Sequence, residues 1–299
     1  MREEHRAGLS YLEAATTLLQ RARASHPTAG LYEAAELQWW WSIPRRTDEL
    51  PQLFWFDDDD QPAAAVIATD FGDGTSALYD SPTLVISILP DAEDDADWVD
   101  HVVGRGLAHV RSNGIESVEL EVLQTDEVMR QVLFDRGFAP KGDGLVFCWL
   151  EADQRPEVSG LAEGYQLRSR AEITDHPHHM ADRPSRAEVE QRLGQTSLYR
   201  PDLDLVIVDE TDSAAAYGLF WFDPVTATGV VEPMRTHDDH QQRGLARHLL
   251  TAGVERLAQA GATRISIGYE PDNPASGPLY RSVGFVPDGQ SDLVAGPTG

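Results

Sequence analysis

The segment Gln241–Arg247 has a composition suited to binding a negatively charged group. It follows a predicted strand and begins a predicted helix that places apolar residues at helical spacing from Leu245 to Leu257. Gly244 lets the backbone turn tightly and approach a ligand closely. The backbone N–H groups of residues 242–247 and the positive end of the helix dipole then favour an anion such as a pyrophosphate. The pattern Q-x-x-G-x-A is weak by itself, because ordinary helix starts share it.

A second segment, Asn273–Phe285, follows the next predicted strand and reads N-P-A-S-G-P-L-Y-R-S-V-G-F. Together the two segments closely resemble the GCN5-related N-acetyltransferases (GNAT). In that family a Q/R-x-x-G-x-G/A loop precedes an N-x-x-A-x-x-L-Y-x-x-x-G-F segment, and both Asn273 and Tyr280 are in register with it. Ser276 replaces the family's alanine and is small enough for the same packing. The resemblance covers Leu161–Val294.

The resemblance implies that acetyl-CoA is the cosubstrate and that it lies between two splayed strands, Gly229–Thr236 and Arg264–Glu270. The first strand would bind it through its backbone, as a sheet edge binds an added strand. In the family the loop binds the pyrophosphate and the asparagine lies near the pantetheine arm. The residues expected to bind acetyl-CoA are therefore Met234, Arg235, Thr236, Gln241, Gln242, Arg243, Gly244, Leu245, Ala246, Arg247 and Asn273.

Acetyl transfer to an amine needs a proton acceptor and a proton donor. Deprotonating an amine with a pKa of about 10 at neutral pH costs roughly 4 kcal/mol, so a base or a water path must take the proton. Glu232 is the candidate base because it lies mid-strand beside the expected cleft, with ordinary strand polarity as the alternative. His237 and His240 are rival bases, unless they belong only to a solvated loop. Tyr280 occupies the family's position near the sulfur, so its phenol is the candidate acid; an ordinary packed tyrosine is the alternative.

The chain contains an internal repeat, in which Ser81–Phe138 aligns with Thr228–Phe285 without a gap. Both copies change from strand periodicity to helix periodicity and back at the same places. The sequence therefore predicts an α+β protein with two tandem GNAT-like domains, each a mixed, mostly antiparallel sheet flanked by helices. A polar linker at Ala152–Glu163 separates an expected domain at 1–152 from one at 163–299.

The first half has lost the residues that would bind the cosubstrate. Asp97 stands at the glycine position of the loop, within the acidic run Asp91–Asp100, where phosphates would meet like charges. Asp126 and Leu133 stand at the asparagine and tyrosine positions of the second segment. We therefore expect this half to be a degenerate domain that supports the other half or helps to wall its substrate site.

Three other features are open to more than one interpretation. Trp39–Trp41 could cage a cationic substrate, although packing is the commoner use of such a cluster. Tyr165–Arg170 is predicted to be a strand that opens the second half, and the first half shows no clear equivalent. Asp175–His179 looks like a metal site but has no obvious partner at ligand spacing, so no metal is expected.

Composition limits the class of protein. Lys and Arg total 24 against 50 Asp and Glu, for a net charge of −26, which argues against nucleic-acid and anionic-membrane partners. The acidity suits a cationic acceptor, but it is more generally a sign of solubility or of genome-wide bias. Cys148 is the single cysteine, so neither an intrachain disulfide nor a thiolate zinc cluster can form. The start Met1–His5 lacks the plan of a signal peptide and no apolar run approaches ~20 residues, so a cytoplasmic protein is expected.

The combined interpretation is an acetyl-CoA-dependent N-acetyltransferase acting on a small-molecule or peptide amine, without a metal. Direct transfer in a ternary complex is expected, because no cysteine lies near the motif in the sequence. The two-domain plan is also similar to that of the mycothiol synthases, which acetylate a cysteinyl amine. A non-catalytic acetyl-CoA-binding or regulatory protein is the alternative from another class, and turnover on a panel of amines would separate it from an enzyme.

Overall fold

The computed structural model describes residues 1–71, 82–173 and 186–299. The chain divides into two compact units. Unit 1 consists of residues 1–37, 44–146 and 289–299, and unit 2 of residues 38–43 and 147–288.

Unit 1 is built on a mixed sheet with the order β1-β2-β3-β4-β5-β12, in which only the β4–β5 pair is parallel among these strands. Helices α1 and α3 pack on β3. The elements that supply unit 1 are β1 (Arg2–Arg6), α1 (Leu9–Ser25), α2 (Ala34–Trp41), β2 (Gln52–Phe56), β3 (Pro62–Asp70), β4 (Pro82–Ile88), α3 (Ala96–Ser112), β5 (Ser117–Leu123), α4 (Glu127–Asp135), β6 (Ala139–Glu151) and β12 (Val286–Pro297).

Unit 2 repeats this plan, with the strand order β6-β11-β10-β9-β8-β7. The β10–β11 pair is parallel, whereas β7–β8, β8–β9 and β9–β10 are antiparallel. Helix α6 packs on β9 and β10. The further elements of unit 2 are β7 (Gln166–Ser169), α5 (Arg186–Leu193), β8 (Asp204–Val208), β9 (Ala214–Asp223), β10 (Thr228–Thr236), α6 (Leu245–Ala260), β11 (Arg264–Tyr269) and α7 (Ser276–Val283).

The two long strands each serve both units. β6 begins in unit 1 and ends in unit 2, while β12 begins in unit 2 and ends in unit 1. Within unit 1, Ser291–Pro297 pairs antiparallel with Ser117–Leu123. Each sheet is thus completed by the last strand of the other half of the sequence. A simple division at 1–152 and 163–299 does not describe this exchange.

The glycines of the repeat have matching structural roles. A Cβ atom on Gly106 of α3 would lie 2.8 Å from the Val66 side chain, and one on Gly253 of α6 would lie 2.0 Å from Phe220. Both glycines therefore let a helix lie unusually close to the sheet beneath it. This shared contact agrees with the predicted tandem duplication.

The first half does have an opening strand, although its sequence shows no clear equivalent of Tyr165–Arg170. β1 pairs antiparallel with β2, from Arg2 opposite Phe56 to Arg6 opposite Gln52, just as β7 pairs with β8. Its sequence Arg-Glu-Glu-His-Arg shows no apolar alternation, because β1 is an edge strand of charged residues. Glu3 of this strand accepts hydrogen bonds from Arg105 on α3.

None of the helices among the described residues is long and apolar enough to cross a membrane. The histidine cluster Asp175–His179 lies outside the described residues. Among the residues that are described, no group of three or more His, Cys, Asp or Glu side chains could hold a metal ion.

Candidate active site

The parallel strands β10 and β11 separate soon after they begin. Their pairing covers only Thr228–Val230 against Arg264–Ser266. Strand β10 continues to Thr236 with β9 as its partner on the other side, and a bulge interrupts that pairing between Val231 and Met234. A cleft therefore opens along the second half of β10, as the resemblance implies.

The backbone of β10 presents hydrogen-bonding groups to this cleft. The His237 N–H donates to the Ala215 carbonyl on β9 at 2.9 Å. Because successive residues of a strand direct their backbone groups to opposite sides, those of Arg235 also face β9. The N–H groups of Met234 and Thr236 then face the open side, which fits their predicted role.

The loop before α6 holds a row of backbone donors without backbone acceptors. Gln242 and Gly244 have left-handed φ angles of 59° and 79°. Within the described part of the chain, the N–H groups of residues 242–247 donate to no backbone carbonyl. Leu245 and Leu249 are fully buried and fix the helix on the sheet. A row of free N–H groups at the start of a rigid helix can bind an anion. The predicted contact of this loop with acetyl-CoA stays a prediction.

The two arginines near this loop are held in different ways. Arg247 donates to the Ser282 hydroxyl oxygen on α7 at 2.6 Å, which ties α6 to α7. Arg243 donates to the Tyr165 hydroxyl oxygen at 3.1 Å and to the Asp239 carbonyl at 3.2 Å. Arg243 is exposed and Arg247 is half-buried, and both add positive charge beside the row of N–H groups.

Asn273 lies on an exposed loop between β11 and α7. Its side-chain oxygen accepts hydrogen bonds from the N–H groups of Ala275 at 3.1 Å and Ser276 at 3.4 Å. The side chain therefore shapes the start of α7. Its predicted contact with acetyl-CoA stays a prediction.

Glu232 lies in the β10 bulge with its carbonyl accepting a 2.6 Å hydrogen bond from the Trp221 indole. The residue keeps some solvent exposure, yet protein atoms surround the carboxyl group so closely that desolvation raises its pKa from the ordinary 4.5 to about 7. No described residue forms a hydrogen bond or an ion pair with this carboxyl group.

Tyr280 projects from α7 and is only 8% exposed. Its ring meets that of Tyr269 edge-on, with the ring centroids 5.9 Å apart. Burial is the main cause that raises the Tyr280 pKa, and the proximity of the Glu232 carboxyl group and the Cys148 thiol raises it further. The structure thus brings the two predicted catalytic side chains into electrostatic range of each other.

The two rival histidines have other partners. His240 Nδ1 lies 2.9 Å from the Tyr165 hydroxyl, and its Nε2 lies 3.9 Å from an Asp209 carboxylate oxygen. His237 is exposed, and its Nδ1 accepts a hydrogen bond from the Asp239 N–H. These contacts make both histidines part of a polar loop network.

Cys148 is a site neighbour that the sequence did not indicate. It lies in β6, is fully buried, and interacts electrostatically with Tyr280 and Arg281. Desolvation raises its thiol pKa to about 11, so the thiol stays protonated at neutral pH. Although Cys148 does lie near the motif in space, this protonated state argues against its use as a nucleophile.

Unit 1 has acidic side chains at the equivalent positions. The Asp95 carboxylate accepts a hydrogen bond from the Trp98 N–H and caps α3, and Asp126 caps α4 through the Met129 N–H. A cavity of about 360 Å³ lies between β4 and β5, with Asp126 in its lining. Desolvation, then the charges of Asp126 and Asp94, raises the pKa of Glu93 in its lining to about 7. Helix termini with acidic caps and such neighbours disfavour phosphate. That this half binds no acetyl-CoA stays a prediction.

The tryptophan cluster is mostly packed within unit 2. Trp39 and Trp41 are buried, at 7% and 6% exposure. The Trp41 indole donates to the Gln195 side-chain oxygen at 3.1 Å. Arg192 lies over the Trp41 ring, 4.5 Å from its centroid. An arginine of the protein itself therefore occupies the face of Trp41 that a cationic substrate would need.

Comparison with known families agrees with this geometry. Residues 161–285 match the Acetyltransferase (GNAT) family. The matched segment is less than half of the chain. A mycothiol acetyltransferase from Kocuria rhizophila is 31% identical over 125 residues, which are 40% of this chain and 40% of that protein. The match thus spans well under two thirds of the relative.

Solved structures show that the GNAT fold extends over both units. A tandem GNAT protein from the clavulanic acid biosynthesis pathway has a TM-score of 0.69 at 13% identity, covering 100% of this chain and 98% of that one. A GCN5-related N-acetyltransferase from Sphaerobacter thermophilus has a TM-score of 0.65 at 15% identity, covering 99% and 96% of the two chains. The predicted α+β fold with two tandem GNAT-like domains is confirmed.

Proposed function

We propose that the chain is an acetyl-CoA-dependent N-acetyltransferase whose GNAT domain binds acetyl-CoA in the β10–β11 cleft. The observation that carries the proposal is the loop at residues 242–247, whose backbone N–H groups have no backbone acceptor within the described chain and lie at the N-terminus of α6. Diphosphate is the group that such a terminus suits. Met234 and Thr236 support the same pose, because their N–H groups face the open side of the cleft.

Glu232 is proposed to accept the proton of the acceptor amine, directly or through water. With a pKa of about 7 it is partly ionised at neutral pH and closer in basicity to an amine than an ordinary glutamate is. The upward shift of the Glu232 pKa lowers the free-energy cost of moving a proton from the amine to Glu232 by about 3 kcal/mol. This tuning is what a general base in a desolvated cleft requires.

Tyr280 is proposed to donate a hydrogen bond or a proton to the departing thiolate. Its raised pKa makes it a weaker acid than free tyrosine, but the same desolvation also makes a thiolate more basic. Cys148 illustrates this effect, since burial raises its thiol pKa to about 11 in the same surroundings. Direct transfer in a ternary complex fits a site whose one cysteine stays protonated.

The acceptor is proposed to be a small-molecule or peptide amine, and the net charge of −26 suits a cationic one. The same charge supports the proposal that neither nucleic acid nor a membrane is a partner. We also propose that the protein is cytoplasmic and needs no metal. A specific alternative is a mycothiol synthase-like activity, favoured by the match to the mycothiol acetyltransferase. A non-catalytic acetyl-CoA-binding or regulatory protein is the alternative from another class, and an amine panel tests it.

Calorimetry of the full chain with acetyl-CoA tests the binding site. We expect one acetyl-CoA per chain and binding that Gly244→Asp abolishes. Gly244→Ala is the matched control, because it brings the same left-handed strain, about 1–2 kcal/mol, into open space but adds no charge. A stoichiometry of two, or equal affinities of the two variants, contradicts the proposal.

A further inference from the structure

Resting on the proposed function, we infer that Tyr165 is a positioning residue that holds Arg243 for contact with a phosphate group of coenzyme A. Tyr165 immediately precedes β7, at the start of the GNAT domain and far from the loop in sequence. The fold brings its hydroxyl to the side chains of Arg243 and His240. Neither the sequence motif nor the family match assigns it a role.

The hydroxyl group of Tyr165 can satisfy both neighbours at once. Arg243 donates to its oxygen at 3.1 Å, and the hydroxyl hydrogen can then be donated to His240 Nδ1 at 2.9 Å. The His240 ring also meets the Tyr165 ring edge-on, with centroids 5.8 Å apart. Asp209 lies 3.9 Å beyond on the other side of the imidazole. Tyr165 is thus fixed in place before it meets Arg243.

Arg243 is held at two points, by Tyr165 and by the Asp239 carbonyl. A guanidinium has five N–H donors, so three remain for a ligand. The residue belongs to the loop whose backbone N–H groups lack backbone acceptors within the described chain. An arginine restrained beside such a row offers a charged, directional contact to a phosphate.

Holding Arg243 in place before coenzyme A binds reduces the conformational entropy that its side chain loses on binding. A long exposed side chain that must be ordered on binding weakens affinity by about two- to tenfold. Tyr165 orders Arg243 in advance, so the cost is absent from the binding step. The hydroxyl group therefore acts through Arg243 and not through the ligand.

The test compares three probes on the full chain by calorimetry, namely coenzyme A, 3′-dephospho-coenzyme A and pantetheine. Tyr165→Phe keeps the ring against His240 and removes the hydroxyl. We expect the Kd for coenzyme A to rise about two- to tenfold, with the Kd for pantetheine unchanged. KM for acetyl-CoA should rise similarly while kcat stays constant. Arg243→Gln should weaken coenzyme A binding, and adding Tyr165→Phe to it should have no further effect.

The arms of the experiment separate the possible results. A smaller effect on 3′-dephospho-coenzyme A than on coenzyme A assigns the 3′-phosphate, and an equal effect assigns the diphosphate. Additive losses in the double variant, or an equal loss for pantetheine, would mean a merely structural role and would overturn the inference. Unchanged coenzyme A affinity in Tyr165→Phe overturns it too. Failure of the wild-type chain to bind coenzyme A would instead overturn the proposed function, and this inference with it.

Discussion

One carboxyl group and one phenol group in unit 2 carry the proposed chemistry, and desolvation raises the pKa of both. Glu232 has a pKa of about 7, and Tyr280 has a pKa above its ordinary value. Desolvation thus favours the neutral form of both groups. The proposed reaction takes one proton from the amine and gives one proton to the thiolate. A more basic Glu232 suits the first transfer, and a Tyr280 that stays protonated suits the second.

Tyr280→Phe tests the proton donor at the residue scale. The ring and its contact with Tyr269 are kept, and only the hydroxyl is lost. General acid catalysis contributes about 10²–10⁴-fold, so kcat should fall by that factor while acetyl-CoA affinity stays within about twofold. Steady-state kinetics with a working amine, together with calorimetry, measure both quantities. Near wild-type turnover would assign the proton to water or to another donor.

The pH profile tests Glu232 as the base. An essential base with a pKa of about 7 makes kcat/KM rise about tenfold per pH unit below that value and level off above it. Glu232→Gln should lower kcat/KM and remove this rise. His237→Gln is the control, because this exposed rival lies on the adjacent loop. A rise that persists in Glu232→Gln and disappears in His237→Gln would reverse the assignment.

At the scale of elements, the sequence predicted most of the strands and helices that form the cleft. The loop–helix junction at Gly244 was predictable, because its glycine and the apolar spacing of the helix act locally, whereas the splay of β10 and β11 was implied only by the family resemblance. Strand β1 was not, since its charged edge position requires no apolar alternation. Cys148 was also missed, because its approach to Tyr280 depends on where β6 inserts and not on sequence distance.

The helix glycines give an element-scale prediction about stability. Alanine normally stabilises a helix relative to glycine by about 1 kcal/mol, but at Gly253 its Cβ would overlap the Phe220 ring. We expect Gly253→Ala to lower the free energy of unfolding by about 1–3 kcal/mol. Gly104→Ala is the matched control, because its nearest neighbour is the far end of the flexible Arg136 side chain and not a packed ring. Urea titrations that give equal effects for both would show that close packing of α6 on β9 is unimportant.

At the scale of the whole molecule, the exchange of β6 and β12 makes each unit depend on both halves of the sequence. Local sequence patterns could predict two similar domains, since each copy carries its own periodicity. They could not predict which sheet the last strand of each copy joins, because both sheets offer an equivalent edge. That choice is set by tertiary packing.

The fragment Gly164–Gly299 follows the boundary that the sequence suggests and tests the exchange. It lacks β6, whose Cys148 and Leu150 are buried in unit 2 and whose Glu151 pairs with Arg264 at 2.7 Å. Losing one buried leucine costs about 1.5–3 kcal/mol, and β11 becomes an unpaired edge. Its last residues also lose β5, their partner in unit 1.

We therefore expect Gly164–Gly299 to show no cooperative thermal unfolding by circular dichroism. The matched fragment Phe147–Asp288 keeps Phe147–Glu151, the unit 2 part of β6, and omits the residues that belong to unit 1. It should therefore unfold cooperatively, although at a lower temperature than the full chain. Both fragments lack Gln38–Ile43, so that loss cannot explain a difference between them. If Gly164–Gly299 unfolds as cooperatively as Phe147–Asp288, unit 2 does not need β6. Since marginal stability leaves little reserve after a strand is lost, we expect the two fragments to differ clearly.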